Sequence, residues 1–306
     1  MARVQNHRQK PGARFLDPLV LARIDKLDLL AKTVVEGFIN GLHRSPYFGI
    51  SVDFAEHRAY TPGDDIRRLD WRLFARTDRF YVKQFEADSN TNFSTILDVS
   101  RSMTFTSGGI SKLDYGRYLA ACLTYFAHKQ RDRVGLVTYD DRIVDYVPPS
   151  AKHMDVVLHA IDRIAPGGRS DLQAPILKVA EAARRKGILV LISDLYEEPA
   201  TVLEALENLR FRGHDLIVFH LLDPAELRFE FNQAATYQDL ETGESIPVVP
   251  DRLRQQYREL IEEHIDALSG RLGENLIDYN LIDTSTPLDQ ALVSYLSMRQ
   301  KLSRVR

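Results

Sequence analysis

The sequence predicts an open α/β sheet, mostly parallel and flanked by helices on both faces. From about residue 91 onward, strand-like and helix-like segments alternate, which is the order that a parallel sheet with crossover helices requires. Two strand-like runs, Ile188–Ile192 and Leu216–Leu222, are almost wholly apolar, as expected of strands covered on both faces. Gly187 and Gly213 stand where the helices before these two strands should end.

Each element of this sheet has its own signal. Apolar residues at helical spacing after Lys112 predict a helix that follows the first strand. The Asp140-Asp141 link is too short for a crossover, so the strand after it should be an antiparallel edge strand. Pro199 is placed to begin a helix. The predicted strands are Thr95–Val99, Val134–Tyr139, Arg142–Val147, Ile188–Ile192, Leu216–Leu222 and Leu276–Ile282, and the predicted helices are Lys112–Arg131, Lys152–Ile164, one from near Asp171 toward Gly187, Pro199–Arg210, Arg252–Leu268 and one after Pro287.

A hairpin is expected outside the main sheet at about residues 226–250. Two strand-like runs flank Glu241-Thr242-Gly243-Glu244, in which Gly243 supplies the turn. We therefore predict two domains: residues 1–90 with an N-terminal helix and a small β-rich segment, and residues 91–306 with the α/β sheet and the inserted hairpin.

The N-terminal β-rich segment should contain strands near Ser51–Tyr60 and Phe80–Phe85. Trp71, the only tryptophan, is expected to fill a small core there. Several arginines lie between residues 67 and 79, interleaved with aspartates. Local ion pairs are therefore favoured over a surface that binds phosphate or an acidic partner.

Composition excludes several classes of function. A net charge of -3 over 306 residues gives no overall bias toward nucleic acid or anionic membranes. Cys122 is the only cysteine, so no internal disulfide and no cysteine-based zinc cluster can form. No apolar run reaches the roughly 18 residues needed to span a bilayer, and a cytoplasmic location is expected.

The most informative motif is Asp98-Val99-Ser100-Arg101-Ser102, at the carboxyl end of the first predicted strand of the sheet. Carboxylate and hydroxyl oxygens are the hard ligands that Mg²⁺ and Ca²⁺ prefer, and open α/β sheets bind ligands at this end of their strands. A serine-rich loop that caps its own backbone is the alternative interpretation of this motif taken alone.

Two further loops carry possible ligands at the same edge of the predicted sheet. Ser170 follows a glycine-rich stretch just before a helix, and Asp194 follows the strand Ile188–Ile192. Taken singly, Ser170 could be a helix N-cap and Asp194 a turn residue. Together with Asp98, Ser100 and Ser102, they favour a cation site built from three loops.

These residues resemble the metal-ion-dependent adhesion site of von Willebrand factor A-like domains, over about residues 91–222 and 252–303. The resemblance implies that Ser100 and Ser102 bind Mg²⁺, or Mn²⁺ or Ca²⁺, directly, and that Ser170 binds directly or through water. Asp98 and Asp194 would balance the charge, largely through waters. Ser170 stands where the family usually has threonine, which keeps the hydroxyl but loses a methyl group. An open coordination position would take a partner protein's carboxylate.

The segment before the motif is similar to bacterial proteins of the domain of unknown function 58 family. The similarity lies in Phe54-Ala55-Glu56-His57-Arg58-Ala59-Tyr60, in the run from Pro62 to Trp71 and in Ala75-Arg76. The genes of such proteins often lie beside those of MoxR-type AAA+ ATPases. The resemblance implies an adaptor for such an ATPase or its client, with a role in assembling, maturing or chaperoning other proteins.

A magnesium-dependent phosphatase or hydrolase that uses Asp98 is the alternative function. An aspartyl-phosphate enzyme needs a second acid two residues after its nucleophile, where this chain has Ser100. The segment from Ser193 to Glu197 is acidic and offers no lysine. A phosphate-binding loop of the type that hydrolyses ATP is also missing from the sequence. The residues therefore predict a protein without enzymatic activity.

Overall fold

The computed structural model describes residues 26–43, 56–60, 71–84, 91–231, 235–240 and 243–305. Its strands are β1 Glu56–Ala59, β2 Tyr81–Gln84, β3 Asn92–Asp98, β4 Arg133–Tyr139, β5 Ile143–Ser150, β6 Gly187–Ser193, β7 Asp215–Leu222, β8 Ala235–Gln238, β9 Ser245–Val248 and β10 Asp278–Asp283. Its helices are α1 Leu27–His43, α2 Trp71–Thr77, α3 Lys112–Lys129, α4 Met154–Asp162, α5 Gln173–Ala182, α6 Pro199–Phe211, α7 Pro224–Arg228, α8 Pro250–Glu274 and α9 Leu288–Val305, with a 3₁₀ turn at Ser102–Thr104.

The chain forms two compact units, one of which contains the main sheet. The larger unit includes Thr91–Arg306 and the part of α1 up to Val35, and the smaller one spans Glu36–Asn90. The predicted domain boundary at residues 90 and 91 stays a prediction, since the first 25 residues lie outside the described part of the chain.

The main sheet has six strands in the order β10-β7-β6-β3-β4-β5. All neighbouring pairs are parallel except β4 and β5, which are antiparallel. The predicted open, mostly parallel sheet is therefore confirmed, together with its antiparallel edge strand. β3, the first strand of this sheet in the chain, lies in the middle. β4 and β5 follow on one side of it, and β6, β7 and β10 then form the other side. The crevice between β3 and β6 is thus the switch point at which such sheets bind ligands.

Helices cover both faces of this sheet. On one face, Ile96, Leu191 and Val218 pack with residues of α5, α6 and α8 in a continuous apolar cluster. The opposite face carries Phe93, whose ring meets Tyr295 of α9 edge to face at 5.9 Å. Because side chains alternate along a strand, residues one position apart in β3 serve different faces. The sheet is consequently buried between two helical layers.

The predicted elements of the sheet all form, with shifted ends. The first strand begins at Asn92 rather than Thr95, and the long charged helix α8 continues to Glu274, six residues past its predicted end. Leu268 and Leu272 are fully buried, so apolar packing carries α8 through its last turns. None of the helices in the described ranges is both long and apolar enough to cross a membrane.

The predicted hairpin is present as a separate two-stranded sheet. β8 and β9 pair antiparallel, with Tyr237 opposite Ile246. Gly243 has a φ of +75°, a left-handed conformation that glycine adopts without strain.

The smaller unit contains the antiparallel pair β1 and β2 and the short helix α2. The rings of Phe74 and Phe80 stack at 4.4 Å, and Tyr60 meets Phe80 edge to face. The expectation that Trp71 fills a core is wrong. Trp71 is the first residue of α2, and its side chain is 60% exposed and contacts the ring of Phe74. The expected strand residues 51–55, and Phe85, lie outside the described residues.

The glycine at the start of β6 generates a prediction about sheet pairing. A Cβ atom at Gly187 would lie 2.3 Å from the main-chain oxygen of Asn92, its register partner in β3. Gly187→Ala should therefore lower the free energy of unfolding by about 3 kcal/mol, because backbone must move to relieve the contact. Gly270→Ala is the control: this exposed position in α8 has nothing within 4 Å, so alanine should stabilise by about 0.5–1 kcal/mol. Urea unfolding of both variants measures the difference, and equal effects would contradict the prediction.

Candidate metal centre

The candidate site is built around Asp98, the last residue of the central strand β3. Its side chain is fully buried. Oδ1 accepts a hydrogen bond from the Ser100 backbone N–H at 2.8 Å, and Oδ2 accepts one from the Ser193 hydroxyl at 2.8 Å. The Tyr139 hydroxyl lies 3.4 Å from Oδ2. Asp98 therefore caps its own loop, as the alternative interpretation expected, but it also joins the ends of three strands.

The two other serines of the motif lie beside Asp98. Ser100 Oγ and Ser102 Oγ are 3.0 Å apart. Mg²⁺ binds oxygen at about 2.0–2.1 Å in octahedral geometry, which places neighbouring ligand oxygens about 2.9 Å from each other. The spacing of the two hydroxyls therefore suits adjacent positions around one such ion.

The second loop is fastened directly onto the first. The Gly167 N–H donates to the Val99 carbonyl at 2.6 Å, and the Arg101 N–H donates to the Gly168 carbonyl at 2.8 Å. A Cβ atom at Gly167 would lie 2.6 Å from Asp140 Oδ2, so this close approach requires glycine. The glycine-rich stretch thus brings the following serine to the motif.

Ser170 faces the site rather than capping a helix. α5 begins at Gln173 after Leu172, which makes no side-chain cap, so the N-cap interpretation of Ser170 is wrong. Instead Ser170 Oγ lies 3.4 Å from Asp98 Oδ2 and donates to Glu197 Oε1 at 3.1 Å.

Asp194 lies in the same crevice and is paired with a buried lysine. Its Oδ2 is 2.8 Å from Nζ of Lys112, the first residue of α3. Lys112 Nζ also lies 2.7 Å from Glu226 Oε1. The expectation that the third loop has no lysine is therefore wrong, since Lys112 reaches it from 82 residues earlier in the chain.

The electrostatics of the crevice favour an added cation. Burial and the nearby charge of Asp194 raise the pKa of Asp98 to about 7, against hydrogen bonds from Ser100 and Ser193 that lower it. A positive charge beside a carboxyl group favours its ionised form, so a divalent ion would lower the pKa of Asp98 and stabilise its carboxylate.

Hydroxyls supply much of the donor set. No group of three or more histidine, cysteine, aspartate and glutamate side chains is arranged to hold a metal in the part of the chain that the structure describes. A cation would therefore depend on the three serine hydroxyls together with the aspartates. Such a set of hard oxygens fits Mg²⁺ or Mn²⁺. That Asp98, Ser100, Ser102, Ser170 and Asp194 bind a metal stays a prediction.

The candidate ligands differ in their exposure to solvent. Asp98, Ser100 and Asp194 are buried, whereas Ser102 and Ser170 are half-buried. Two exposed arginines, Arg101 and Arg169, each directly precede one of these outer serines in the chain. The hydroxyls of Ser102 and Ser170 are therefore the part of the site that solvent reaches.

Sequence comparison identifies the family. Residues 56–267 match the family described as "Protein of unknown function DUF58". The chain belongs to this family. An uncharacterized protein of Mycobacterium tuberculosis strain H37Rv is 30% identical over 232 residues, which cover 74% of this chain and 73% of that relative. The family resemblance of the residues before Asp98 is thereby confirmed.

More distant similarities were also found. The magnesium-chelatase 67 kDa subunit of Chlorobaculum parvum is 27% identical over 129 residues, 40% of this chain and 20% of that protein. Among solved structures, the conserved hypothetical protein BatB from Bacteroides thetaiotaomicron has a TM-score of 0.47 at 14% identity, covering 69% of this chain and 99% of that one. The SpRpn10 VWA domain has a TM-score of 0.40 at 13% identity, covering 66% and 94%.

Four residues of this DUF58 protein's crevice were not assigned to the site from the sequence: Tyr139, Ser193, Glu197 and Lys112. Lys112 carried a usable signal, because a cation in the first turn of a helix opposes the helix dipole. The Ser193 hydroxyl also accepts a hydrogen bond from the Leu195 N–H. A serine that only forms this turn and a serine that also bonds to Asp98 cannot be told apart in the sequence.

Behind Asp194, the DUF58 sheet buries a histidine. His220 in β7 is fully buried, and its Nδ1 is 2.7 Å from the Tyr279 hydroxyl. Burial lowers the pKa of His220 to about 3, although the charge of Asp194 acts in the opposite direction. His220 is therefore neutral in the folded protein at neutral pH.

This neutral histidine predicts a loss of stability in mild acid. The unfolded chain binds a proton at His220 below a pKa of about 6.5, whereas the folded chain does not until about pH 3, so stability present above pH 6.5 is lost as the pH falls. Between pH 7 and pH 5, wild type should lose about 2 kcal/mol more unfolding free energy than His220→Asn. Urea unfolding at both pH values tests this, and equal losses in the two proteins would contradict it.

Proposed function

We propose that this DUF58 protein is a non-enzymatic, metal-dependent adaptor that binds other proteins. One divalent cation, held by Ser100, Ser102 and Ser170 with charge balance from Asp98 and Asp194, would bind an acidic residue of a partner. The observation that carries the proposal is the convergence of three loops on the buried Asp98 carboxylate, with hydroxyls 3.0 Å apart on its open side.

In this function each residue has a defined task. The cation, when bound, would supply a Lewis acid whose open position accepts a carboxylate. Asp98 orients the first loop through the Ser100 N–H, and Ser193 holds its second oxygen. Arg101 and Arg169, which directly precede Ser102 and Ser170 in the chain, would add positive charge to this region and favour an acidic partner.

The partner is proposed to be a MoxR-type AAA+ ATPase or its client, in an assembly, maturation or chaperone role. Membership of the DUF58 family supports this partner, because the family resemblance implies a gene beside that of such an ATPase. The local similarity to a magnesium-chelatase subunit supports work within a multisubunit assembly. A cytoplasmic location stays a prediction.

A phosphatase is the second candidate, and the lysine at Asp194 favours it. An aspartyl-phosphate enzyme uses a nucleophilic carboxylate, a hydroxyl, a lysine and a metal-binding aspartate, for which Asp98, Ser170, Lys112 and Asp194 are available. Two features oppose it. Ser100 stands where such an enzyme has its proton-transferring acid, and the Asp98 side chain is fully buried, whereas a nucleophile must be accessible to the phosphate.

Metal binding can be measured directly on the isolated protein. Titration with Mn²⁺ in a calorimeter should give one site, and Ser100→Ala/Ser102→Ala should weaken it at least about tenfold because two ligand oxygens are removed. Thr104→Ala is the matched control, since the Thr104 hydroxyl bonds to the Arg101 carbonyl next to the site. A folded wild type that binds neither Mn²⁺ nor Mg²⁺ would remove the proposal.

The adaptor and the enzyme make opposite predictions. With Mg²⁺, the protein should retain a MoxR-type ATPase or its client in a pull-down, and chelator or Ser100→Ala/Ser102→Ala should release it. Identical capture with Mg²⁺ and with chelator would mean that the binding is not metal-dependent. No Mg²⁺-dependent hydrolysis of p-nitrophenyl phosphate is expected. Turnover that is lost in Asp98→Asn would instead support the phosphatase.

A further inference from the structure

Lys112 is a fully buried cation beside the candidate metal centre. Its side chain has no exposed surface, and its Nζ lies 2.8 Å from Asp194 Oδ2 and 2.7 Å from Glu226 Oε1. Taking an ammonium group out of water is costly unless opposite charges and hydrogen bonds compensate for it. Two carboxylates from two different loops supply that compensation here.

The position of Lys112 in the chain is not explained by helix formation. It is the first residue of α3, directly after the N-cap Ser111, where the helix dipole disfavours a positive charge. Its Nζ also lies 4.8 Å from the centre of the Tyr196 ring, a distance suited to a cation–π contact. Burial lowers the pKa of Lys112, but the charges of Asp194 and Glu226 outweigh this effect and raise it, so the group is charged.

Glu226 contacts Lys112 with one carboxylate oxygen and a backbone N–H with the other. Oε2 accepts the Asp223 N–H at 2.8 Å and completes the N-terminal cap of α7. Asp223 in turn accepts hydrogen bonds from the backbone and side chain of Ser107, in the loop that leads to Lys112. Lys112 is therefore held by two carboxylates, and one of them, Glu226, is itself fixed by the cap of α7.

We propose that Lys112 is an internal counter-charge that sets how strongly the site binds its cation. It would neutralise Asp194 and so remove one negative charge from a group of carboxylates that also includes Asp98 and Glu197. A divalent ion in the site then binds more weakly to the isolated chain and keeps more positive charge for the carboxylate of a partner. Ion and acidic partner would bind cooperatively. This inference rests on the proposed metal-dependent function.

The test removes the counter-charge together with one of its two carboxylate partners, so that only Asp194 is left without its lysine. In Lys112→Met/Glu226→Gln, a positive and a negative charge are lost together, and the glutamine can still accept the Asp223 N–H. Calorimetric titration with Mn²⁺ alone should show about tenfold tighter binding than wild type, because Asp194 is no longer neutralised. Glu226→Gln by itself is the matched control and should not tighten binding, since Lys112 then pairs with Asp194 alone.

A third substitution identifies Asp194 as the origin of the gain. Adding Asp194→Asn to the double variant should abolish the tightening, because the freed carboxylate is then absent. Thermal unfolding with and without Mn²⁺ gives a second readout, in which the double variant should gain more stability from Mn²⁺ than wild type does. If the double variant lacks a cooperative unfolding transition, Lys112→Gln/Glu226→Gln takes its place, since an uncharged amide in place of the ammonium group can still donate to Asp194.

The outcomes separate this inference from the proposed function. Unchanged or weaker Mn²⁺ binding in the double variant, with wild-type binding still lost in Ser100→Ala/Ser102→Ala, would overturn the role of Lys112 and leave the metal site standing. No Mn²⁺ binding by either wild type or the double variant would overturn both. Tighter binding that depends on Asp194 supports the counter-charge.

Discussion

The pairing of β3 with parallel strands on both of its sides is the constraint on which the rest of the structure depends. In register, Asp98 lies opposite Tyr139 of β4, and Leu97 lies opposite Ile192 of β6. β4 belongs to the half of the sheet that the chain forms first, and β6 begins the half that it forms afterwards on the other side of β3. The carboxyl end of β3 is consequently the one place where loops from both halves of the sheet converge, and Asp98 stands there because it ends that strand.

Burying a carboxylate at such a point imposes requirements on the residues around it. Asp98 is satisfied by the Ser100 backbone and by hydroxyls from neighbouring strands and loops. Asp194, directly after the neighbouring strand β6, is satisfied by a full positive charge from Lys112. The crevice therefore divides into an outer part rich in hydroxyls, suited to an exchangeable ion, and an inner part with a permanent cation.

Local sequence patterns predict the sheet well because its strands and helices have strong periodicity. The apolar run of β6 and the short Asp140-Asp141 link are sufficient to predict a buried strand and an antiparallel edge. The ends of elements are less predictable, as α8 illustrates: its last turns are held by Leu268 and Leu272 against the sheet, and this packing involves residues far away in the chain. Trp71 shows the converse, since a residue type that is usually buried is exposed here.

The candidate site was predictable in part for the same reason. Asp98, Ser100, Ser102 and Asp194 lie at or just after strand ends, where the order of the strands brings them together. Ser170 lies between α4 and α5, and its glycine-rich loop joins the site through main-chain hydrogen bonds. Lys112 and Glu226 could not be assigned in this way, because their contacts span 82 and 114 residues and involve helix termini rather than strand ends. Their side chains meet only after three loops have taken their final positions.

The double use of Glu226 has a consequence for how this chain can vary. α7 has only five residues, too few to be stable as an isolated helix, and its cap shares Glu226 with Lys112. The segment that leads from the sheet to the hairpin β8–β9 therefore depends for its cap on the same glutamate that helps to hold Lys112 beside Asp194. The hairpin strands are mostly exposed and pair only with each other among the described residues, so insertions there leave that balance untouched. Variation in length should consequently be better tolerated in the hairpin, whereas a change at Glu226 should require a compensating change at Lys112.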